Sequence, residues 1–115
     1  MSKYSEKKVK SLNTFLNKWI GGDVIILEIS RSHTSLCMLI TNNKKEGNLY
    51  IKCLEPIFIS GAKEWKNFSP NISSLEFKDE SKGKFILFDN NSNFVCICDD
   101  ISIFENIKNY WTVYS

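Results

Sequence analysis

The segment SRSHTS holds the residues best suited to acid–base chemistry, because the one histidine of the chain, His33, stands two residues after Arg31. An imidazole can act as a general base near neutral pH, and a guanidinium group beside it can hold an anionic substrate. A catalytic triad would also need a nucleophile and an orienting carboxylate around His33, and the sequence shows no such convergence. A polar connection between two apolar strands is the simpler interpretation, so we expect a protein without catalytic activity.

The four cysteines, Cys37, Cys53, Cys96 and Cys98, each lie in an apolar, strand-like run. Cys96 and Cys98 are two residues apart, so on a strand they would share one face and could form half of a metal site. Zinc sites usually take four ligands, often as two C-x-x-C pairs, and neither this spacing nor a single histidine fits that pattern. The sequence therefore favours packing of the thiols in the core and predicts neither a metal ion nor another cofactor.

Carboxylates are concentrated in the C-terminal half of the chain. Residues 1–66 carry a net charge of +5, and residues 67–115 carry a net charge of −3. The spaced ligands and central glycine of a calcium-binding loop are absent. Two interpretations stay open, solvated loop ends or a surface that attracts a basic partner. The candidate partner-binding residues are Glu76, Asp79, Glu80, Asp89, Asp99, Asp100 and Glu105.

One helix is predicted at residues 5–20, SEKKVKSLNTFLNKWI, where apolar side chains recur at steps of three and four. Ser5 can cap its first turn, and Gly21 and Gly22 end it, because glycine readily adopts the left-handed conformation that follows a helix. The apolar stripe of this helix contains Val9, Leu12, Phe15, Leu16, Trp19 and Ile20.

Short apolar or alternating runs separated by polar turns follow the helix and predict strands. NNSN between KFILFD and FVCICD indicates a hairpin, and short connections of this kind imply antiparallel pairing. We therefore expect one domain over residues 1–115, of the α+β class and mainly β. Its N-terminal helix would pack on a bent antiparallel sheet, a half-barrel or a sandwich, of about six or seven strands. Residues 99–115 could form a strand, a short helix or both.

The segment CLEPIFISGAKEW combines a strand with a sharp turn. Pro56 cannot donate to a ladder and marks an edge, a bulge or a break, and Gly61 lets the chain turn out of the strand. Trp65 is then expected to fold back as an apolar lid, with its N–H directed at a carbonyl group or a water molecule. The alternative function is a small-ligand-binding module, with a pocket between helix and sheet lined by Trp19, His33 and Trp65.

Composition argues against two classes of partner. The net charge is only +2 and Arg31 is the one arginine, whereas nucleic-acid-binding proteins use arginine for bidentate contacts. No apolar run approaches the ~18 residues that would span a bilayer, and the opening residues MSKYSEKKVK are too polar for a signal peptide. With four thiols in apolar runs, these features predict a cytoplasmic protein that binds neither membrane nor nucleic acid.

The order of these features resembles that of small bacterial immunity proteins, which neutralise the toxins of polymorphic or contact-dependent growth-inhibition systems. The resemblance covers the layout of about residues 12–105 and is carried by the helix, by two apolar strands, and by Ser32, His33, Thr34, Ile57, Ile59, Gly61 and Trp65. It implies a non-catalytic cytoplasmic protein that binds a cognate toxin domain, such as a basic nuclease, in a 1:1 complex. The acidic C-terminal half would then supply the contact surface and block the toxin by steric and electrostatic means.

Overall fold

The computed structural model describes residues 3–30, 35–42, 44, 47–75 and 84–105. Within these ranges the chain forms one α-helix, one 3-10 turn and nine strands, which make two antiparallel sheets. The elements are α1 (Lys3–Leu16), the 3-10 turn (Asn17–Trp19), β1 (Asp23–Ser30), β2 (Ser35–Thr41), β3 (Leu49–Leu54), β4 (Phe58–Ser60), β5 (Glu64–Trp65), β6 (Pro70–Leu75), β7 (Lys84–Asp89), β8 (Val95–Cys98) and β9 (Asp100–Glu105).

The two sheets confirm the predicted fold class, α+β and mainly β. One sheet has five strands in the order β5-β1-β2-β3-β9, and the other has four in the order β4-β8-β7-β6. Inward-facing side chains of both sheets belong to one hydrophobic core, so the arrangement is a sandwich. The described strands outnumber the six or seven expected because β4 and β5 pair in different sheets, and because Asp100–Glu105 forms a strand of its own.

A bent ribbon joins the two sheets. β3 pairs with β9 in the five-stranded sheet, and β4 pairs with β8 in the four-stranded sheet. The segments β3–β4 and β8–β9 therefore form one antiparallel ribbon that runs from one sheet to the other. The ribbon bends at Pro56, between β3 and β4, and at Asp99, between β8 and β9. At the bend the N–H of Asp99 donates to the carbonyl of Leu54 at 2.9 Å. Pro56 therefore marks a break between strands, as predicted. The bend brings together inward-facing residues from either side of it.

The helix packs against β6, an edge strand of the four-stranded sheet. The side-chain amide of Asn13 donates to the carbonyl of Ile72 and accepts from the N–H of the same residue, each at 2.8 Å. Leu16 and Trp19, each 1% exposed, extend from this end of the chain into the core. The helix therefore covers the β6 edge with hydrogen bonds and with apolar contacts.

The helical segment is shorter than the predicted residues 5–20 at its C-terminal end. The α-helix ends at Leu16, the 3-10 turn continues to Trp19, and Ile20 is 50% exposed and lies outside the core. Gly21 has a φ of +92°, which only glycine adopts easily, so the predicted stop is confirmed. Among the residues described, no helix has the length and apolar character needed to cross a bilayer.

Candidate functional site

β4 is an edge strand that places apolar side chains in solvent. Its one sheet neighbour among the described strands is β8. Phe58 and Ile59 are 51% and 36% exposed, and Ile57, just before the strand, is 59% exposed. Proteins usually protect an edge strand with charges, prolines, bulges or a covering element, and exposed apolar clusters often mark interaction sites. This strand has the character of a protein-binding edge.

The backbone of β4 also offers hydrogen-bonding groups on its open side. Hydrogen-bonded and non-hydrogen-bonded pairs alternate along an antiparallel ladder. The N–H of Ile57 donates to the carbonyl of Ile97 at 2.7 Å, so the backbone groups of Ile97 are directed to the β4 side and not to β7. Phe58, which lies opposite Ile97, therefore bonds to β8, and the N–H and C=O of Ile59 point to the open side.

The outer face of the four-stranded sheet continues this apolar surface. Burial alternates along β7 and β8, so every second side chain points away from the core and is partly exposed. The register places Phe58 beside Ile97 and Ile97 beside Ile86, which makes the outer side chains contiguous. We call this region the β4 surface; it consists of the outer-face residues Ile57, Phe58, Ile86, Phe88, Val95 and Ile97 together with the edge residue Ile59, whose partner Cys96 faces the core.

The acidic residues that the sequence grouped lie at separate places. Asp99 forms an ion pair with Lys84 at one end of the β4 surface, next to the paired residues of β7 and β8. Asp100 forms an ion pair with Lys8 of the helix, and Glu105 is exposed at the end of β9 in the other sheet. Three further candidates lie outside the described residues: Glu76, Asp79 and Glu80. Asp99 is thus the described acidic candidate that borders the β4 surface.

Asp89 has a structural role, and we remove it from the candidate contact residues because it is only 1% exposed. One carboxylate oxygen accepts from the indole N–H of Trp65 at 3.0 Å and from the N–H of Ser69 at 2.9 Å. The other accepts from the N–H groups of Asn91 and Ser92, both at 2.9 Å. Burial raises the pKa of this carboxyl, but the four donors lower it by more, so the pKa lies below its ordinary value of 3.8. Asp89 therefore fixes the β7–β8 turn and ties it to β5 in the other sheet.

The tryptophans of the alternative ligand pocket are packing residues. Trp65 stacks on Phe94 with ring centroids 5.0 Å apart, and its N–H reaches a carboxylate, not the carbonyl group or water molecule expected. Gly61 has a φ of +135°, and a Cβ there would lie 2.8 Å from the Cα of Phe94, so the predicted turn before Trp65 does require glycine. Trp19 is 1% exposed in the same core, and His33 lies outside the described residues.

Three thiols form a cluster between the two sheets. The Sγ atoms of Cys53, Cys96 and Cys98 lie within 4.8 Å of one another, and each residue is 0% exposed. Cys96 and Cys98 share the inward face of β8, as alternate residues of a strand do, and the bend of the ribbon brings Cys53 of β3 to them. Cys37 is equally buried but belongs to a separate cluster with Tyr50.

Hydrogen bonds among the three thiols move their pKa values in opposite directions. Those from Cys53 and Cys98 lower the pKa of Cys96 from its ordinary value of 9.0, although burial opposes this. The pKa of Cys53 is raised well above 9.0 by its hydrogen bonds to Cys96 and Cys98 and by burial. For Cys98 the hydrogen bond with Cys53 lowers the pKa, but that with Cys96, burial and the charges of Cys96 and Asp100 raise it by more. The opposite shifts thus have a common cause, which is the hydrogen bonding of three thiols to one another inside the core.

Sequence reasoning leaves two of these features unrecognised. It does not join Cys53 to Cys96 and Cys98, because the bend that brings them together is not expressed in their spacing. The sequence patterns also do not identify β4 as a candidate binding strand. The available signal for β4 is the apolar run IFI between Pro56 and Gly61, which is too short to form a long central strand.

Comparison with known proteins adds no relationship to these observations. No family model matches the chain, and neither a curated protein nor a solved structure matches it. The likeness to immunity proteins therefore rests on sequence features alone, and the fold and the two sites rest on the residues described above.

Proposed function

We propose that this protein is a non-catalytic binding protein that docks a partner protein on its β4 surface, in the role of a bacterial immunity protein that blocks a cognate toxin domain. The observation that carries the proposal is an open, apolar edge in a sheet whose opposite edge is covered by the helix. Ile57, Phe58 and Ile59 are 59%, 51% and 36% exposed in consecutive positions. Burial of such side chains by a partner would remove apolar area from water, which is the main driving force of association.

The exposed backbone of β4 suggests the mode of binding. An extended segment of the toxin domain can add a strand to a free sheet edge, where backbone hydrogen bonds supply affinity and side-chain pockets supply specificity. The N–H and C=O of Ile59 point to the open side and would bond to that segment. Phe58 would meanwhile pack against the partner on the outer face of the sheet. Aromatic side chains at the centre of an interface commonly carry a large share of the binding energy.

Charge at the border of the β4 surface would guide the encounter. Residues 67–115 carry a net charge of −3, and Asp99 lies at one end of the surface beside Lys84. The net negative charge of this part of the sequence would favour a basic toxin domain, such as a nuclease, and such charges act mainly on the association rate. Asp99 would therefore assist binding, while the apolar side chains of β4 would hold the complex.

The state of the cysteines supports a cytoplasmic setting for the proposed complex. Four buried cysteines without a disulfide suit the reducing cytoplasm, where a toxin must be neutralised.

The size of the interface requires more than the edge strand. A tight 1:1 complex would bury roughly 1,600 Å² in total, which is more than three β4 residues can supply. The outer face of β7 and β8 would therefore have to take part as well.

The proposal is tested by expressing the product of the gene immediately upstream with and without this chain. We expect the neighbouring product to arrest growth alone, to become harmless when the chain is co-expressed, and to elute with it as a 1:1 complex in size-exclusion chromatography. A neighbour that is harmless alone, or that still kills when the chain is present, would contradict the proposal.

A further inference from the structure

We propose that Cys53, Cys96 and Cys98 form a binding site for a thiophilic d10 metal ion, and that copper(I) is the ion that these three sulfur ligands fit best. The site lies between the sheets, away from the solvent-facing part of the β4 surface. It does not depend on the identity or the existence of a partner protein. The inference rests on the convergence of three thiols from two strands that are far apart in the sequence.

The positions of the sulfur atoms match those of a three-thiolate centre. The three Sγ atoms lie within 4.8 Å of one another. A metal–thiolate bond is about 2.3 Å long, so three sulfur atoms around one ion lie about 4.0 Å apart. Shifts smaller than the length of one bond would therefore suffice to surround an ion. Both Cys53 and Cys98 lie near the bend of the ribbon, at or next to strand ends, where such adjustments disturb the ladders least.

The number of ligands decides between metal ions. Within the described residues the cluster consists of three cysteines, with no fourth histidine, cysteine or carboxylate at the same spacing. Zinc(II) is almost always four-coordinate in closed sites, whereas soft thiolate ligands also select copper(I), which accepts three ligands. Asp100 is close along the chain, but its carboxylate bonds to Lys8 and to the N–H of Ile101. To complete four ligands, zinc(II) would have to draw the Asp100 carboxylate away from Lys8 or bind a water molecule.

Charge and access are both compatible with a bound ion. Each thiol releases its proton to solvent as its sulfur–metal bond forms, and no electron is exchanged. The ammonium group of Lys8 lies 5.7 Å from the ring centroid of Phe85, and Phe85 is paired with Cys98 across the sheet. This ammonium group also pairs with Asp100, so the metal ion itself supplies the positive charge nearest to the three thiolates. Cys96 is paired with Ile59 of β4, so the cluster lies one strand from the open edge, and displacement of that three-residue strand would admit an ion.

The test is a titration of the reduced, full-length protein with copper(I) under anaerobic conditions, in competition with a chromophoric copper(I) chelator. A parallel titration uses zinc(II) and a zinc indicator dye. We expect one equivalent of copper(I) per chain and a thiolate-to-copper charge-transfer band. Cys53→Ala and Cys98→Ala should each raise the copper(I) Kd by about 100-fold or more. Cys37→Ala is the matched control, since Cys37 is also 0% exposed but lies outside the cluster, and it should leave the Kd unchanged.

The other outcomes are equally informative. Binding of zinc(II) that is lost in Cys53→Ala would support the three-cysteine site with the other d10 ion. Absence of binding for both ions, or binding that Cys53→Ala retains, would overturn the proposal. If the alanine variants fail to fold, X-ray absorption spectroscopy of the copper-loaded natural chain decides. A shell of three sulfur atoms supports the site, and a shell of nitrogen or oxygen atoms overturns it.

Discussion

The two edges of the four-stranded sheet differ in how their backbone is covered. At β6 the side-chain amide of Asn13 bonds to both backbone groups of Ile72, each at 2.8 Å, and the helix packs apolar side chains beside it. At β4 the backbone groups of Ile59 point to the open side, and Phe58 is 51% exposed. The first edge is closed by an element of the same chain, and the second has no such cover among the described residues.

This difference indicates that, within the described residues, an element of the chain covers one edge of the sheet and leaves the other edge open. An amide side chain carries the donor and the acceptor of a peptide group, so Asn13 substitutes for a neighbouring strand. The sequence of β4 carries no charged residue between Pro56 and Gly61, although a single lysine there would be the usual protection. We therefore interpret the open edge as functional, and the predictions below compare the two sides.

The largest expected effect is on the covered side, where Leu16→Ala removes a side chain that is 1% exposed. The cavity should lower the free energy of unfolding by about 2–5 kcal/mol. The matched change on the open side, Phe58→Ala, should stay within about 0.5 kcal/mol. Urea unfolding followed by circular dichroism measures both. Equal losses for the two variants would mean that β4 is packed and not open.

A smaller effect is expected from Asn13→Ala, which leaves the N–H and C=O of Ile72 without their partner. Loss of these two hydrogen bonds should cost about 1–3 kcal/mol and accelerate hydrogen exchange at the amide of Ile72, measured by NMR. Thr14→Ala is the control, because the hydroxyl of this exposed residue bonds to the carbonyl of Lys10 within the helix. Unchanged exchange at Ile72 in Asn13→Ala would show that another element closes this edge.

The smallest of the three stability effects is expected from Asp89→Asn, about 1–2 kcal/mol at pH 7, because the amide NH2 cannot accept the two hydrogen bonds that one carboxylate oxygen accepts. Because the pKa of Asp89 in the folded protein lies below 3.8, the unfolded state takes up the proton first as pH falls. The contribution of this carboxylate is therefore fully present well above pH 3.8 and is lost as pH falls through the folded pKa.

Urea unfolding at pH 6 and at pH 3 measures this dependence. The difference in stability between the natural chain and Asp89→Asn should be smaller at pH 3. Asp23→Asn, at an exposed aspartate, is the control and should change little at either pH. A difference for Asp89→Asn that is the same at both pH values would contradict the assigned role.

Local features of the fold can be predicted from the sequence because short-range chemistry fixes them. The apolar period of the helix, the stop at Gly21, the break at Pro56 and the turn at Gly61 all follow from residue type and spacing. Asp89 shows the limit of this approach. An aspartate before NNSN has the sequence character of an exposed turn residue, and its burial results from Trp65 and Ser69, which come from other parts of the chain.

Both candidate sites depend on pairings that local patterns do not encode. The run IFI predicts a buried strand as readily as an exposed one, and only its edge position in the strand order places Phe58 in solvent. Cys53 and Cys96 are 43 positions apart in the chain, and the bend between the sheets determines that their sulfur atoms meet. Periodicity identifies which face of a strand is apolar, but not which other face it meets.

The central claim is that the β4 surface binds the partner, and isothermal titration calorimetry with the purified toxin domain tests it most directly. Phe58→Lys places a charge on the open edge, and Ile25→Lys makes the same change at an exposed position of β1 in the other sheet, where Ile25 is 43% exposed. We predict that Phe58→Lys raises the Kd by about 100-fold, or about 2.7 kcal/mol, while Ile25→Lys leaves it within about twofold. An unchanged Kd for Phe58→Lys, or an equal loss for Ile25→Lys, would contradict the assignment of the binding surface to β4.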